Sequence, residues 1–146
     1  MKELIIQTTD HWVGLVLRLT AGIIMLPHGL QKLMGLFGGY GFSNTVEYFT
    51  KTMKLPWIIA VAVILIESIG ALLMIAGAFS RLWAMAFIAV MLGAIISTNA
   101  KNGLFMNWYG TQSGEGYEYH LLMIGICAAL LLVGSGKFSV DRIFQG

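Results

Sequence analysis

The ionisable side chains that could do chemistry stand where apolar helices should exclude them. Glu67 lies midway through "VILIESIGALLMIAG", and Arg18, His28 and Lys32 interrupt an earlier greasy run that ends in "LPHGLQK". Such a group at the centre of a membrane span costs about 2.5–3.5 kcal/mol on insertion scales. These residues should therefore face the bundle interior, where intramembrane ionisable groups mark polar pockets. At 100° per residue, Arg18, Gly22, Met25, Gly29 and Lys32 share one stripe, with His28 beside it. Gly70, Ala71, Met74 and Gly77 continue the face of Glu67 and admit a close neighbour. Arg18 and Glu67 are the expected interior ion pair; its role is either to fix helix register or to form part of a polar pocket.

A second set of polar groups falls in "NAKNGLFMNWYGTQSGEGYEYH", which brings Asn107, Trp108, Glu115, Glu118 and His120 toward the same end as His28 and Lys32. Trp108 and the neighbouring tyrosines also suit an interfacial aromatic belt. Glu118 and His120 are two residues apart and cannot share a helix face, so one should look into the bundle and the other toward a loop or a neighbouring chain. His28 and His120 lack Glu-x-x-His or His-x-x-x-His spacing, so neither metal nor haem is expected. "GLFGGYG" lacks the lysine and the preceding strand of a phosphate loop.

The elements that must position these groups follow from composition. Of 146 residues, 58% are hydrophobic and 11% charged, against about 45–50% and about 25% in a soluble domain. The mean hydropathy is +0.80. The chain is expected to be one all-α transmembrane domain over residues 1–146, with spans near 12–33, 55–79, 82–98 and 117–134. Pro56 opens the second span, where its missing N–H costs nothing. Pro27 leaves the Ile23 carbonyl free and can kink the first span. Ser80 and Arg81 make up almost all of the second loop. The first loop should hold a short interfacial helix, with Asn44 and Glu47 as a capping-box-like start. The N-terminus shows no basic, apolar and small-residue order, so no cleaved signal is expected. Four spans put both termini on one side. Lys2, Arg81, Lys137 and Arg142 there balance Lys32, Lys51, Lys54 and Lys101 opposite, and Arg18 tips the termini inward. The net charge of +2 without a basic run argues against nucleic acid as a partner.

The stretches "RLTAGIIMLPHGLQKLMG", "LIESIGALLMIAGAFSRLWA" and "NGLFMNWYGTQSGEGYEYHLL" together resemble the DoxX family of small four-span membrane proteins. Arg18, Gly22, His28, Gly29, Lys32, Glu67, Gly70, Gly77 and Arg81 fall where that family's pattern expects them. The family includes subunits linked to thiosulfate:quinone oxidoreduction, quinone-detoxification proteins and partners of thiol and superoxide defence complexes; distant relatives act as assembly or cargo factors. A lone cysteine, Cys127, excludes an autonomous dithiol mechanism. The resemblance implies a component of a quinone-linked oxidoreductase system in the bacterial inner (plasma) membrane. Glu67 and His28 are its expected catalytic residues, and Arg18, Lys32, Asn107, Trp108, Glu118 and His120 its expected ligand-binding residues. The expected ligand is a quinone-like or lipid-like molecule, with Trp108 or Tyr119 stacking on its ring. Membrane lipid, an electron-supplying protein and a second copy of the chain are the expected partners. The alternative is a non-catalytic scaffold or assembly factor that docks a protein on its polar loops.

Overall fold

The computed structural model describes residues 6–145; Lys2, counted above on the terminal side, lies outside them. The described residues form an all-helical membrane bundle. Helix α1 spans Trp12–Met34, long and apolar enough to cross a bilayer. Its first free N–H groups are met by His11, whose Nδ1 accepts from the Gly14 N–H at 3.1 Å while Nε2 donates to the Val133 carbonyl at 3.2 Å. It runs on through Pro27 and stops at Gly35, which takes the left-handed conformation with φ 74°.

The short helix α2, Gly41–Glu47, continues into a wider turn at Tyr48–Thr52. It starts three residues before Asn44, so the Asn44–Glu47 capping box does not form. Asn44 donates to the Tyr40 carbonyl instead, and Glu47 pairs with Lys51 at 2.7 Å. Helix α3, Trp57–Ala76, begins after Pro56. It carries one widened π-type turn at Ile66–Gly70, the segment that holds Glu67. Helix α4 spans Ser80–Asn102. The α3–α4 turn is Gly77–Ala78–Phe79, so Ser80 and Arg81 belong to the helix rather than to the loop. Helix α5, Glu118–Val133, has 16 residues and is shorter than the other three spans. A four-residue helix α6, Val140–Ile143, follows.

Helix α1 lies against α3 and α5, and α5 packs along α4. Ala21, Met25, Met74, Phe87, Met123 and Leu130 form the centre of the core. Large apolar side chains such as Ile58, Leu72, Ile96 and Leu132 point outward, as lipid-facing positions should. The expected stripe on α1 is the buried one: Arg18, Gly22, Met25 and Gly29 all face inward. Its glycines set the helix spacing. A Cβ on Gly29 would fall 2.1 Å from the Glu67 carbonyl oxygen, and one on Gly22 3.0 Å from that of Ala71.

This register corrects the expected Arg18–Glu67 pair. Gly29 stands level with Glu67, whereas Arg18 stands level with Ile75, eight residues or about 12 Å farther along α3. Arg18 is buried and gives its guanidinium to carbonyls: Ile75, Ser135 at 3.0 Å, Lys137 at 3.0 Å and Phe138 at 2.8 Å. Asp141, also buried, completes this polar knot. Its carboxylate accepts from the Phe79 N–H at 2.6 Å, the Ser80 N–H at 3.1 Å and the Ser135 hydroxyl. Asp141 thus caps the start of α4 from outside that helix and holds Phe79 at φ 57°, a left-handed conformation uncommon for a bulky residue.

Candidate functional site

At the opposite, loop-side end the bundle surrounds a cavity of about 620 Å³ between α1, the segment that follows α2, α3, α4 and the start of α5. Its walls are mainly apolar, and the polar side chains that meet it include His28 and Lys32 from α1, Glu67 from α3, and Tyr119 and His120 from α5, besides Tyr48, Ser97, Thr98, Asn99 and Glu115. Lys32 pairs with Glu67 rather than reaching for the headgroups. Gly29 makes this possible. Without a side chain there, the α1 backbone lies directly on Glu67, and Lys32, one turn farther, reaches the carboxylate. Glu67 is only 5% exposed, while the Lys32 side chain keeps 25% exposure. The pair is therefore half rooted in the bundle and half open to the cavity.

Two polar atoms beside the pair are buried yet have no hydrogen-bond partner among the described residues: Tyr119 Oη and His120 Nδ1. The Tyr119 ring packs 5.9 Å from the His28 ring and 5.5 Å from the His120 ring, the latter edge-on at 80°. An unsatisfied buried polar atom costs about 1–3 kcal/mol, so two at one cavity wall are a donor-acceptor set suited to a polar ligand. Among the described residues no three His, Cys, Asp or Glu side chains converge as metal ligands.

The structure thus gathers His28, Lys32, Glu67 and His120 at one cavity, and sets the other expected site residues elsewhere. Arg18 is in the terminal-side knot. Glu118 accepts from the Met106 N–H at 3.3 Å and so braces the third loop, while His120 faces the cavity. Asn107 is engaged within that loop, with Gln112 at 3.0 Å and Glu115 at 2.8 Å. Trp108 is 76% exposed and does not line the cavity. Asp141 was not singled out from the sequence. Its only local signal is "SVDR", where Ser139 caps α6 by accepting from the Arg142 N–H.

The DoxX family model matches residues 13–100, which contain α2, α3 and nearly all of α1 and α4. This chain belongs to the DoxX family. The protein named "Putative oxidoreductase CatD" of Bacillus subtilis (strain 168) is 32% identical over 133 residues, covering 90% of this DoxX chain and 87% of the relative. No solved structure matches the chain significantly. The DoxX match takes in Arg18, His28, Lys32 and Glu67 and ends before Tyr119 and His120, so the cavity is completed from outside the matched segment.

Proposed function

We propose that this DoxX-family membrane protein works in a quinone-linked oxidoreductase system and holds a quinone-like molecule in the loop-side cavity. The observation that carries this reading is the pair of unpartnered buried atoms, Tyr119 Oη and His120 Nδ1, on the wall of a mainly apolar cavity. A flat ring with carbonyl oxygens fits that pattern: apolar faces against the walls, oxygens at the tyrosine and histidine. The name of the Bacillus relative points to the same reaction class.

A quinone supplies two-electron chemistry, and its full reduction takes up two protons as well. The residues of this chain serve the proton side. Tyr119 and His120 orient the ring oxygens. His28 and the Lys32–Glu67 pair, next to them, form a short polar path on which a proton is held and passed on. The sequence contributes no electron carrier, so electrons come from a protein partner. The exposed aromatic groups of the third loop, Phe105, Trp108 and Tyr109, are the surface where that partner docks. The same exposed loop favours the second reading, a scaffold that docks a protein without chemistry.

Tyr119→Phe tests the assignment because it removes only the unpartnered hydroxyl. Binding of a short-tailed benzoquinone to the purified protein should weaken about tenfold, a loss of about 1.4 kcal/mol, while thermal stability is unchanged or raised. Glu67→Gln and His28→Ala should also weaken binding in a bundle that still folds. Unaltered affinity in all three variants refutes the pocket assignment and leaves the scaffold reading.

A further inference from the structure

The cavity has an open side within the membrane-crossing part of the bundle. On α4, Ala89, Gly93 and Ser97 repeat at four-residue steps and share one face. All three line the cavity, and all three are exposed. A Cβ built on Gly93 meets nothing within 4 Å. The facing wall is Ile59, Ala62, Val63 and Ile66 of α3. The α3–α4 hairpin is closed at its turn, and the two helices stay in contact up to the widened turn at Ile66–Gly70. Beyond it, the Trp57–Leu65 half of α3 packs on α1 and α2 instead of α4. The hairpin is thus a V whose arms part toward the loop side, with the cavity between them.

Size and polarity say what fits this gap. A cavity of about 150 Å³ holds a benzene ring, so one ring fills about a quarter of the 620 Å³ here. The ionisable groups cluster on α1, α5 and the middle of α3, and Ser97, Thr98 and Asn99 add polar groups at the loop-side end of α4, while Ala62, Val63, Ile66, Ala89 and Gly93 wall the rest of the gap between the hairpin arms with aliphatic and small residues. We propose that the ligand is an amphiphile dissolved in the bilayer, that it is exchanged sideways through the α3–α4 gap, and that its apolar tail lies between the hairpin arms while its ring reaches Tyr119 and His120. This rests on the quinone reading of the same cavity and adds the tail and the route.

The test uses the full chain in phospholipid nanodiscs and two probes: a benzoquinone carrying a ten-carbon chain with a photoreactive diazirine at its end, and the same ring without the chain. The tailed probe should label peptides holding residues 57–66 and 89–97, and excess unlabelled tailed quinone should abolish the labelling. A Cβ at Gly93 has open space around it, so Gly93→Phe places a ring in the gap and should weaken the tailed probe at least tenfold and the tailless ring less than threefold. Ile96→Phe, on the outward face of α4 (81% exposed), should change neither. Binding of the ring with tail labelling confined to the third loop, or indifference to Gly93→Phe, overturns the lateral route and leaves the quinone reading standing. Failure of both probes to bind overturns the quinone reading and this inference together. Equal labelling of residues 57–66 and 89–97 by a ten-carbon alkyl diazirine that lacks the quinone ring assigns the gap to a lipid tail and overturns the tailed-quinone assignment.

Discussion

Gly29→Ala is the smallest change that should disturb both the packing and the cavity. The added methyl would sit 2.1 Å from the Glu67 carbonyl oxygen, 2.3 Å from its carbon and 2.4 Å from the Ser68 nitrogen. All three are backbone atoms that cannot rotate aside. The closest approach falls about 1.3 Å short of the 3.4 Å at which ordinary contact begins, so α1 and α3 must part by about that much at this level. Overpacking typically costs about 1–3 kcal/mol, and an unyielding backbone neighbour places this case at the upper end. Alanine returns about 1 kcal/mol of helix propensity, which leaves a net destabilisation of about 1–2 kcal/mol. Gly125→Ala is the matched control, because its Cβ meets nothing within 4 Å and it should stabilise α5 by about 0.5–1 kcal/mol. Equilibrium unfolding in mixed micelles titrated with dodecyl sulfate, followed by tryptophan fluorescence, measures both. A Gly29→Ala protein as stable as the parent, or a shift in the same direction for the two variants, refutes the close approach of α1 to Glu67.

Glu67→Gln should cost about 2–3 kcal/mol in the same unfolding experiment, somewhat below the ~3–5 kcal/mol of a fully buried pair because Lys32 keeps a quarter of its side chain exposed. Lys32→Met combined with Glu67→Met should recover at least half of that loss; a double variant worse than Glu67→Gln would show that the pair contributes more than mutual compensation. Asp141→Ala should cost about 3 kcal/mol through three lost hydrogen bonds, and amide exchange should quicken first at Phe79 and Ser80. Exchange rising instead uniformly along α4 would contradict the cap. Lys51 holds the Glu47 carboxyl below the ordinary carboxylate range, through a hydrogen bond and charge attraction on the exposed surface. A depressed folded-state pKa means that the pair supports α2 above the unfolded-state value and stops doing so as pH falls through the folded-state value. Carbon-13 titration of the Glu47 carboxyl should show the depression, and Lys51→Met should abolish it.

The inward stripe of α1 and the small-residue face around Glu67 were legible in the sequence, because both rest on a 3.6-residue period and on the cost of polar groups in hydrocarbon. The partner of Glu67 was not. The inward stripe of α1 carries both Arg18 and Lys32, and the expected partner is Arg18; the chain sets the level of α3 against α1 through the Gly29 contact, and that register puts Lys32 beside the carboxylate. The destination of Arg18 was hidden for a related reason. Its acceptors are backbone carbonyls at Ser135, Lys137 and Phe138, and a carbonyl carries no side-chain identity. The split roles of Glu118 and His120 followed from their two-residue spacing. The placement of Asn107 and Trp108 did not, since the path of a long loop depends on internal hydrogen bonds such as Asn99 to Glu115 at 2.9 Å.

The terminal-side knot imposes an order on biosynthesis. Arg18 enters the membrane with the first helix, yet three of its four acceptors lie 117–120 residues later in the chain. The cap of the Phe79–Ser80 turn, Asp141, also comes from a stretch translated after all four spans. During synthesis the first three spans therefore carry a guanidinium that has only the Ile75 carbonyl among its four acceptors, and an uncapped helix start. Both are settled only when the residues that follow the fourth span fold back onto the terminal side of the bundle. The segment after the fourth span fastens the bundle, as a drawstring closes a bag.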